Sequence, residues 1–442
     1  MSKENLFKNF FKFTSLVTDF SPKNGARFLD YIFLNLLGNR LLISFLAKQA
    51  ELRISKIKNF NKILVVSDLN IGDAVICSSG VTAFRKIFPK AEIDYVIKKS
   101  AVKLLAGNQE ISNLYGLFVG APYPNENDLK ELSLLAQSKE YDCIINYSPM
   151  INDKIFGEKK VINYSLMVAR LVKNEKNKKS INSISYKAYG FIMNLFGNSL
   201  SINSEDKFTG PKVFLSDEAV NIAEKFLRNN HVLSEYPIIM FNPETTAKFT
   251  RIPINTQTEI LNKLLEYPCQ ILLGSSRVEK GIEIELLNSL PESKKSKIII
   301  IPDSFKLDVY TVLIDLSDIF ITGDTGPLHL AAARKFFKNN NKSLRNKTAV
   351  FSIFGSTPSR MYGFDSKTPG YFAANQDAPS RAFISKSPCR NITCINKLAK
   401  TCAEVRCFNG LDVDEIISES IRHLKSTGKH LAVLDSNSYI SH

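Results

Sequence analysis

Residues 323–333 read Gly-Asp-Thr-Gly-Pro-Leu-His-Leu-Ala-Ala-Ala and directly follow the apolar run Asp318-Ile319-Phe320-Ile321-Thr322. The pattern predicts a buried strand, a tight turn and the start of a helix. Gly323 and Gly326 are expected to permit the turn, Pro327 suits the first helical position, and Leu328 with residues 330–333 carries the helix into a core. A helix that begins this way leaves its first backbone N–H groups without intrahelical partners, at the positive end of its dipole. It is a ready site for a phosphate or diphosphate. Asp324, Thr325 and His329 add polar groups at the same point. A plain strand-to-helix turn with capping residues would also explain the Asp-Thr-Gly triplet, so the surrounding sequence decides between the two readings.

The same alternation extends in both directions. Around the triplet, strands are expected at 237–242, 269–274, 297–301, 318–322 and 348–354, with helices near 255–266, 279–290 and 307–316. Ser216 caps an earlier helix that has Asp217 and Glu218 in its first turn. Nearer the N-terminus, strands at 62–67, 92–97, 114–119 and 141–147 alternate with helices at 72–88, 100–107 and 125–139. A stretch rich in Asn, Ser and Lys, residues 173–211, separates the two series. Residues 335–347 read as a basic surface insertion, and 412–425 as a final helix. Alternating strands and helices imply parallel sheets covered on both faces. The expected organisation is a basic amphipathic extension (1–60), two α/β domains (61–205 and 206–428) and a polar tail (429–442). Ligands of such sheets bind beyond the C-terminal strand ends, so a cleft between the two halves is the expected site.

Bulk properties narrow the partners. A chain of 442 residues exceeds one ordinary core, and its formal charge of +15 favours anionic ligands or surfaces. Seven cysteines are too few and too scattered for a disulfide scaffold, and no cleavable leader is read at the start, which points to a reducing cytoplasm. Residues 28–47 come nearest to a membrane span, but Asp30, Asn35, Asn39 and Arg40 interrupt them, so an amphipathic helix is expected instead. Residues 1–62 carry eleven Lys/Arg against four Asp/Glu. Such a segment suits the surface of an anionic membrane, here the inner face of the inner membrane; a helical subdomain packed on the first sheet is the alternative. Nucleic acid is not an expected partner, because no helix-turn-helix, zinc-finger or aromatic RNA-binding motif accompanies the charge. A nicotinamide-dependent oxidoreductase is disfavoured because the first strand is followed by Gly72 alone rather than Gly-x-Gly-x-x-Gly.

Three further stretches carry chemistry. The first strand delivers Ser67-Asp68-Leu69-Asn70-Ile71-Gly72-Asp73-Ala74. Gly72 permits a turn, and Asp73 is either a helix-capping carboxylate or a general base at the C-terminal edge of the sheet. Residues 242–253, Asn-Pro-Glu-Thr-Thr-Ala-Lys-Phe-Thr-Arg-Ile-Pro, form a polar loop with two cations. Lys248 and Arg251 could neutralise charge growing on a diphosphate leaving group, or remain solvated on the surface. Glu279, after the Leu272-Leu273-Gly274 strand end, is placed to take a ribose hydroxyl or to occupy a first helical turn.

Together, residues 71–73, 242–253, 272–274 and 323–333, with Phe351-Ser352-Ile353-Phe354-Gly355-Ser356-Thr357-Pro358 beyond them, resemble the glycosyltransferase family 9 heptosyltransferases of lipopolysaccharide core assembly. The resemblance spans about 61–427. It implies a GT-B fold: two Rossmann-like α/β domains facing a central cleft, here preceded by an N-terminal helical extension. It further implies inverting transfer of a heptose or related sugar from an ADP-sugar to a lipopolysaccharide-core or related glycolipid or oligosaccharide acceptor. No cofactor and no obligatory metal are implied. By position, Asp73 matches the base, with Gly72 in the acceptor-side loop. Thr325 and Gly326 match backbone phosphate contacts, while Asp324 and His329 match donor-facing positions. Thr246, Lys248, Arg251 and Glu279 complete the expected donor set. One departure stands out. Where the family has Lys followed by Arg or His, Trp and Pro, this chain has Thr250, Arg251, Ile252 and Pro253, so Lys248 or Arg251 would have to supply the missing charge. The alternatives are a GT-B enzyme using a UDP- or GDP-sugar for another surface glycan, and a GT-B-shaped binding protein without activity.

Cys389, Cys394, Cys402 and Cys407 form a C-x4-C-x7-C-x4-C pattern that could hold a structural Zn²⁺, although it is looser than paired C-x2-C ligands. Similar cysteine-bearing loops occur at this place in the family it resembles. Asp412-Val413-Asp414 is read as the cap of the last helix rather than as a metal-binding Asp-x-Asp.

Overall fold

A strand covered on both faces reads as an unbroken apolar run, and β1 (Lys62–Val66) is such a run, inaccessible from Ile63 to Val66. The computed structural model describes residues 60–119, 124–148, 150–163, 210–245, 250–274, 281–336, 347–355, 359–368, 379–385 and 405–429, with a few isolated positions besides. Two compact units emerge. The first is built mainly from residues before 209; the second runs from 209 onwards and takes in Lys103–Gly107. The helix expected at 28–47, most of the 173–211 stretch and the tail beyond 429 lie outside the described residues.

In the first unit β1 pairs in parallel with β2 (Glu92–Lys98) and β4 (Cys143–Asn146), so that Val65 sits opposite Tyr95 and Ile145. With β3 (Asn113–Phe118) and β5 (Val161–Asn163) the order is β3-β2-β1-β4-β5. The chain therefore builds outward from β1 on one side and then returns to build on the other, and the order reverses between β1 and β4. Helices α1 (Ile71–Ile87), α2 (Val102–Leu105) and α3 (Glu126–Ser138) connect the strands. Helix α1 is buried along most of its length. Gly80 makes its close approach possible, because a Cβ there would collide with the Tyr147 hydroxyl just beyond β4.

The second unit is a parallel sheet in the order β11-β10-β9-β6-β7-β8. Its strands are β6 (Ile238–Asn242), β7 (Gln270–Leu273), β8 (Ile298–Ile300), β9 (Ile319–Gly323), β10 (Ala349–Phe354) and β11 (Ser380–Ile384). The helices are α4 (Asp217–Asn229), α5 (Ile254–Leu264), α6 (Ile282–Ser289), α7 (Glu292–Lys295), α8 (Leu307–Leu316), α9 (Gly326–Phe336), α10 (Ser359–Tyr362) and α11 (Val413–Ser426). Here the strand order reverses between β6 and β9. Ser216 caps α4 through the Ala219 N–H, and Asp412 caps α11 through the Glu415 N–H at 3.0 Å, the role expected of it.

Three details differ from expectation. The edge strands β5 and β11 were not anticipated: β5 has three residues and β11 is half-covered, so neither shows the continuous apolar run of an inner strand. Lys335, expected at the start of a surface insertion, is buried on α9 and donates to the Pro379 carbonyl; residues 337–346 lie outside the described residues. Gly323 and Gly326 have no positive φ, so the turn after β9 does not need glycine for its backbone conformation. Cys407 is buried, and Cys389, Cys394 and Cys402, the other members of the four-cysteine pattern, lie outside the described residues. No helix among the described residues is long and apolar enough to cross a membrane.

One buried ion pair sets the placement of α9. The Arg334 Nε donates to Asp315 Oδ2, at the end of α8, at 2.7 Å, and its Nη1 donates to the Val213 carbonyl at 2.7 Å. Both side chains are essentially inaccessible. Burial pushes the Asp315 carboxyl up and the guanidinium opposes that shift, so removing Arg334 would leave a buried carboxylate without its counter-charge. Arg334→Met is expected to cost about 3–5 kcal/mol in urea unfolding, and Asp315→Leu/Arg334→Met to recover most of it. A single-variant loss below about 1 kcal/mol would contradict the anchoring role.

Candidate functional site

Ligands of open α/β sheets bind outside the carboxyl ends of the strands where the strand order reverses. In the second unit that point lies between β6, ending at Asn242, and β9, ending at Gly323. The Asn242 side chain ties the two together. Its Nδ2 donates to Thr322 Oγ1 at 3.0 Å and to the Glu244 carbonyl at 2.9 Å. The Tyr310 hydroxyl lies 2.9 Å from both Asn242 Oδ1 and the Gly274 carbonyl, which joins the end of β7 to the same point.

The loop after β6 folds back onto β9. Thr250 Oγ1 donates to Thr245 Oγ1 at 3.0 Å, and a Cβ at position 323 would stand 3.2 Å from Thr245 Cγ2 and 3.4 Å from the Thr250 carbonyl. Gly323 thus admits a close approach of Thr245 rather than meeting a need of turn conformation. Gln257 closes the back of the loop with bonds to the Pro243 and Ile252 carbonyls. Glu244 is buried, and its Oε1 accepts from the Thr245 N–H and pairs with Arg251 Nη2. Arg251, expected as an unengaged cation facing a diphosphate, is therefore held by a carboxylate, while its buried Nε has no hydrogen-bond partner among the described residues. Thr246, Lys248 and Glu279 lie outside the described residues.

Asp324, Thr325 and Gly326 are half-buried, whereas Pro327 to Lys335 are buried. The apolar run seats the helix and leaves its first polar turn at the sheet edge. Asp324 accepts a hydrogen bond from Thr357 in the turn after β10, yet desolvation pushes its carboxyl up to about 6. His329 is 6% exposed, with its ring centroid 6.4 Å from Tyr362 and 6.1 Å from Phe364. Burial lowers its imidazole to about 4, so it is neutral near pH 7, and Nδ1 has no hydrogen-bond partner among the described residues. The structure therefore brings together 242–245, 250–252, 323–329 and 357, all placed at one edge. Glu244, Thr245 and Tyr310 were missed by sequence reasoning, since nothing local marks a buried glutamate or the tyrosine that links strand ends.

In the first unit the order reverses between β1 and β4, and the residues after these strands again meet. The Ser148 hydroxyl donates to Asp68 while accepting the Met150 and Ile151 N–H groups. Asp73 is the third residue of α1 and half-buried, with the buried Gly72 beside it; Asn70, not Asp73, occupies the N-cap.

Residues 192–340 match the family model described as glycosyltransferase family 9 (heptosyltransferase). The matched segment includes β6, β9 and the polar start of α9. A search of curated proteins finds no match. Among solved structures, a family 9 glycosyl transferase from Veillonella parvula superposes with a TM-score of 0.58 at 13% identity, covering 83% of this chain and 98% of that one. The E. coli ADP-heptose lps heptosyltransferase II gives 0.53 at 15%, covering 83% and 99%, and E. coli heptosyltransferase WaaC with ADP gives 0.51 at 14%, covering 82% and 99%. These likenesses, with the two parallel sheets, show the GT-B fold expected from the sequence.

Asp324 has a folded-state value above the unfolded one, so it stabilises the fold fully below about pH 4 and loses that contribution as pH rises through about 6. Asp324→Asn is accordingly expected to be more stable than the parent at pH 7.5, by about 2–3 kcal/mol, and close to it near pH 4. Equal differences at the two pH values in thermal or urea unfolding would contradict the desolvated carboxylate.

Proposed function

We propose that the protein is an inverting sugar transferase that moves a heptose, or a closely related sugar, from an ADP-sugar to a lipopolysaccharide-core or related glycolipid acceptor. The observation that carries this reading is the packing of Thr245 and Thr250 against Gly323, immediately before the Asp-Thr-Gly helix start. Backbone N–H groups of Thr325 and Gly326, at the positive end of α9, are proposed to hold the diphosphate. Arg251, and Lys248 nearby in sequence, replace the lysine that Thr250 displaces. Donor assignment draws on the printed names of the structural relatives, one an ADP-heptose lps heptosyltransferase and one with ADP.

In the proposed reaction an acceptor hydroxyl oxygen attacks the anomeric carbon while Asp73 takes the hydroxyl proton. The bond from that carbon to the diphosphate oxygen breaks, and the electron pair leaves with the diphosphate. Its new charge meets the N–H groups of α9 and the Arg251 guanidinium, already oriented by Glu244. Asp324 and the neutral His329 are proposed to contact the sugar and phosphate oxygens. The basic extension, residues 1–60, is proposed to meet the anionic membrane that carries the acceptor.

Asp73→Asn is expected to reduce transfer from ADP-heptose by about 10²–10⁴-fold, while calorimetric affinity for ADP stays near that of the parent. Near-normal turnover in this variant would return Asp73 to a helix-end role.

A further inference from the structure

The crevice edge of the first unit holds a buried cation that the reaction scheme above does not use. Lys98 ends β2 and is 7% exposed; Asp68 follows β1 and is 2% exposed. A lysine this deep persists as a cation only beside counter-charge. Asp68 supplies it, and Asp73 adds to it: burial draws the Lys98 ammonium below the ordinary lysine range, and the charges of Asp68 and then Asp73 oppose that pull. Asp68 is itself pushed up by desolvation, against the Ser148 hydrogen bond and the Lys98 charge. Its Oδ1 has no hydrogen-bond partner among the described residues.

The local helix chemistry points to the same cation. Asn70 is the N-cap of α1, and asparagine is among the strongest capping residues. Its side chain nevertheless makes no capping bond; Oδ1 accepts instead from Lys98 Nζ at 3.2 Å. By contrast, Asn125 at the start of α3 makes a full capping box with Asp128. The side chain best suited to close the first turn of α1 is thus turned to Lys98, and Asp73 is a residue of that turn.

We propose that Lys98 is a positioning residue for the Asp73 carboxylate, fixed at the strand edge by Asp68 and Asn70. The proposal rests on the reading of Asp73 as the base. An ammonium beside a carboxylate favours its ionised form, so Lys98 keeps the base unprotonated towards lower pH and limits its rotation. Other titratable groups around this turn are Cys77 on α1, Tyr95 on β2 and Tyr147 after β4, all pushed up by burial and so uncharged near neutrality. Among the described residues, Lys98 and Asp68 are the charges that bear on Asp73.

The test is a carboxyl-carbon NMR titration of the full chain labelled with [4-¹³C]aspartate, with Asp73 assigned by the loss of its signal in Asp73→Asn. Lys98→Met is expected to raise the Asp73 midpoint by about one pH unit, a tenfold change in proton affinity, and Lys98→Arg to bring it back. If the lone Asp68 charge prevents Lys98→Met from folding, Asp68→Asn/Lys98→Met is compared with Asp68→Asn, relative to which its Asp73 midpoint is expected to rise by about one pH unit. A midpoint that stays in place in the folded variant, or moves equally in Lys98→Arg, overturns the proposal. An Asp73→Asn protein that retains transfer would sink the base reading alone, because the titration reports on Lys98 whatever the carboxylate does.

Discussion

The proposed donor site depends on holding one helix by its far end. Its first turn is proposed to offer N–H groups to a diphosphate, so the helix has to be pinned elsewhere. The buried Arg334–Asp315 pair does the pinning instead, bonding α9 to the end of α8 and to the Val213 carbonyl. Between the pair and the first turn lies an apolar face, Leu328 and residues 330–333, that fixes the direction of the helix. At the other side Asn242 and Thr322 lock β6 to β9, so the loop and the helix start are carried on one rigid edge. A site of this kind needs positional precision, and both devices act without occupying it.

The two sheets apply a common plan with different chemistry. Each reverses strand order once, β1 to β4 and β6 to β9, and each places desolvated ionisable groups beyond that point. Asp68 and Lys98 face each other in the first unit; Asp324 and His329 are displaced in opposite directions in the second. Such shifts lower stability, and their presence at both sheet edges is what a functional region leads one to expect. By comparison, the core clusters beneath the edges are built from Ile, Leu, Val and Phe.

What could be read in the sequence was local. The alternation of strands and helices, the Asp-Thr-Gly-x-x-His run, and the caps at Ser216 and Asp412 all depend on residues a few positions apart, and all were legible. Edge strands β5 and β11 were not, because a half-covered strand lacks a continuous apolar run. Contacts across long stretches of chain were also invisible: Thr357 to Asp324, Ser148 to Asp68, Tyr310 to Asn242. Gly323 shows the limit most clearly. Its place beside the helix start was legible as a turn, whereas the structure shows a close approach of Thr245 to a backbone with no positive φ. The pairing of Arg251 with Glu244 changes the site more, since it replaces a loose surface cation with an oriented one.

The central claim is that a nucleoside diphosphate rests on the start of α9, and a crystal structure of the full chain soaked with ADP tests it most directly. The account predicts both phosphates at the β6–β9 edge, with oxygens within hydrogen-bond distance of the Thr325 and Gly326 N–H groups and a guanidinium contact from Arg251. ADP bound elsewhere, or an empty β6–β9 edge in crystals where ADP saturates the protein in solution, would contradict it.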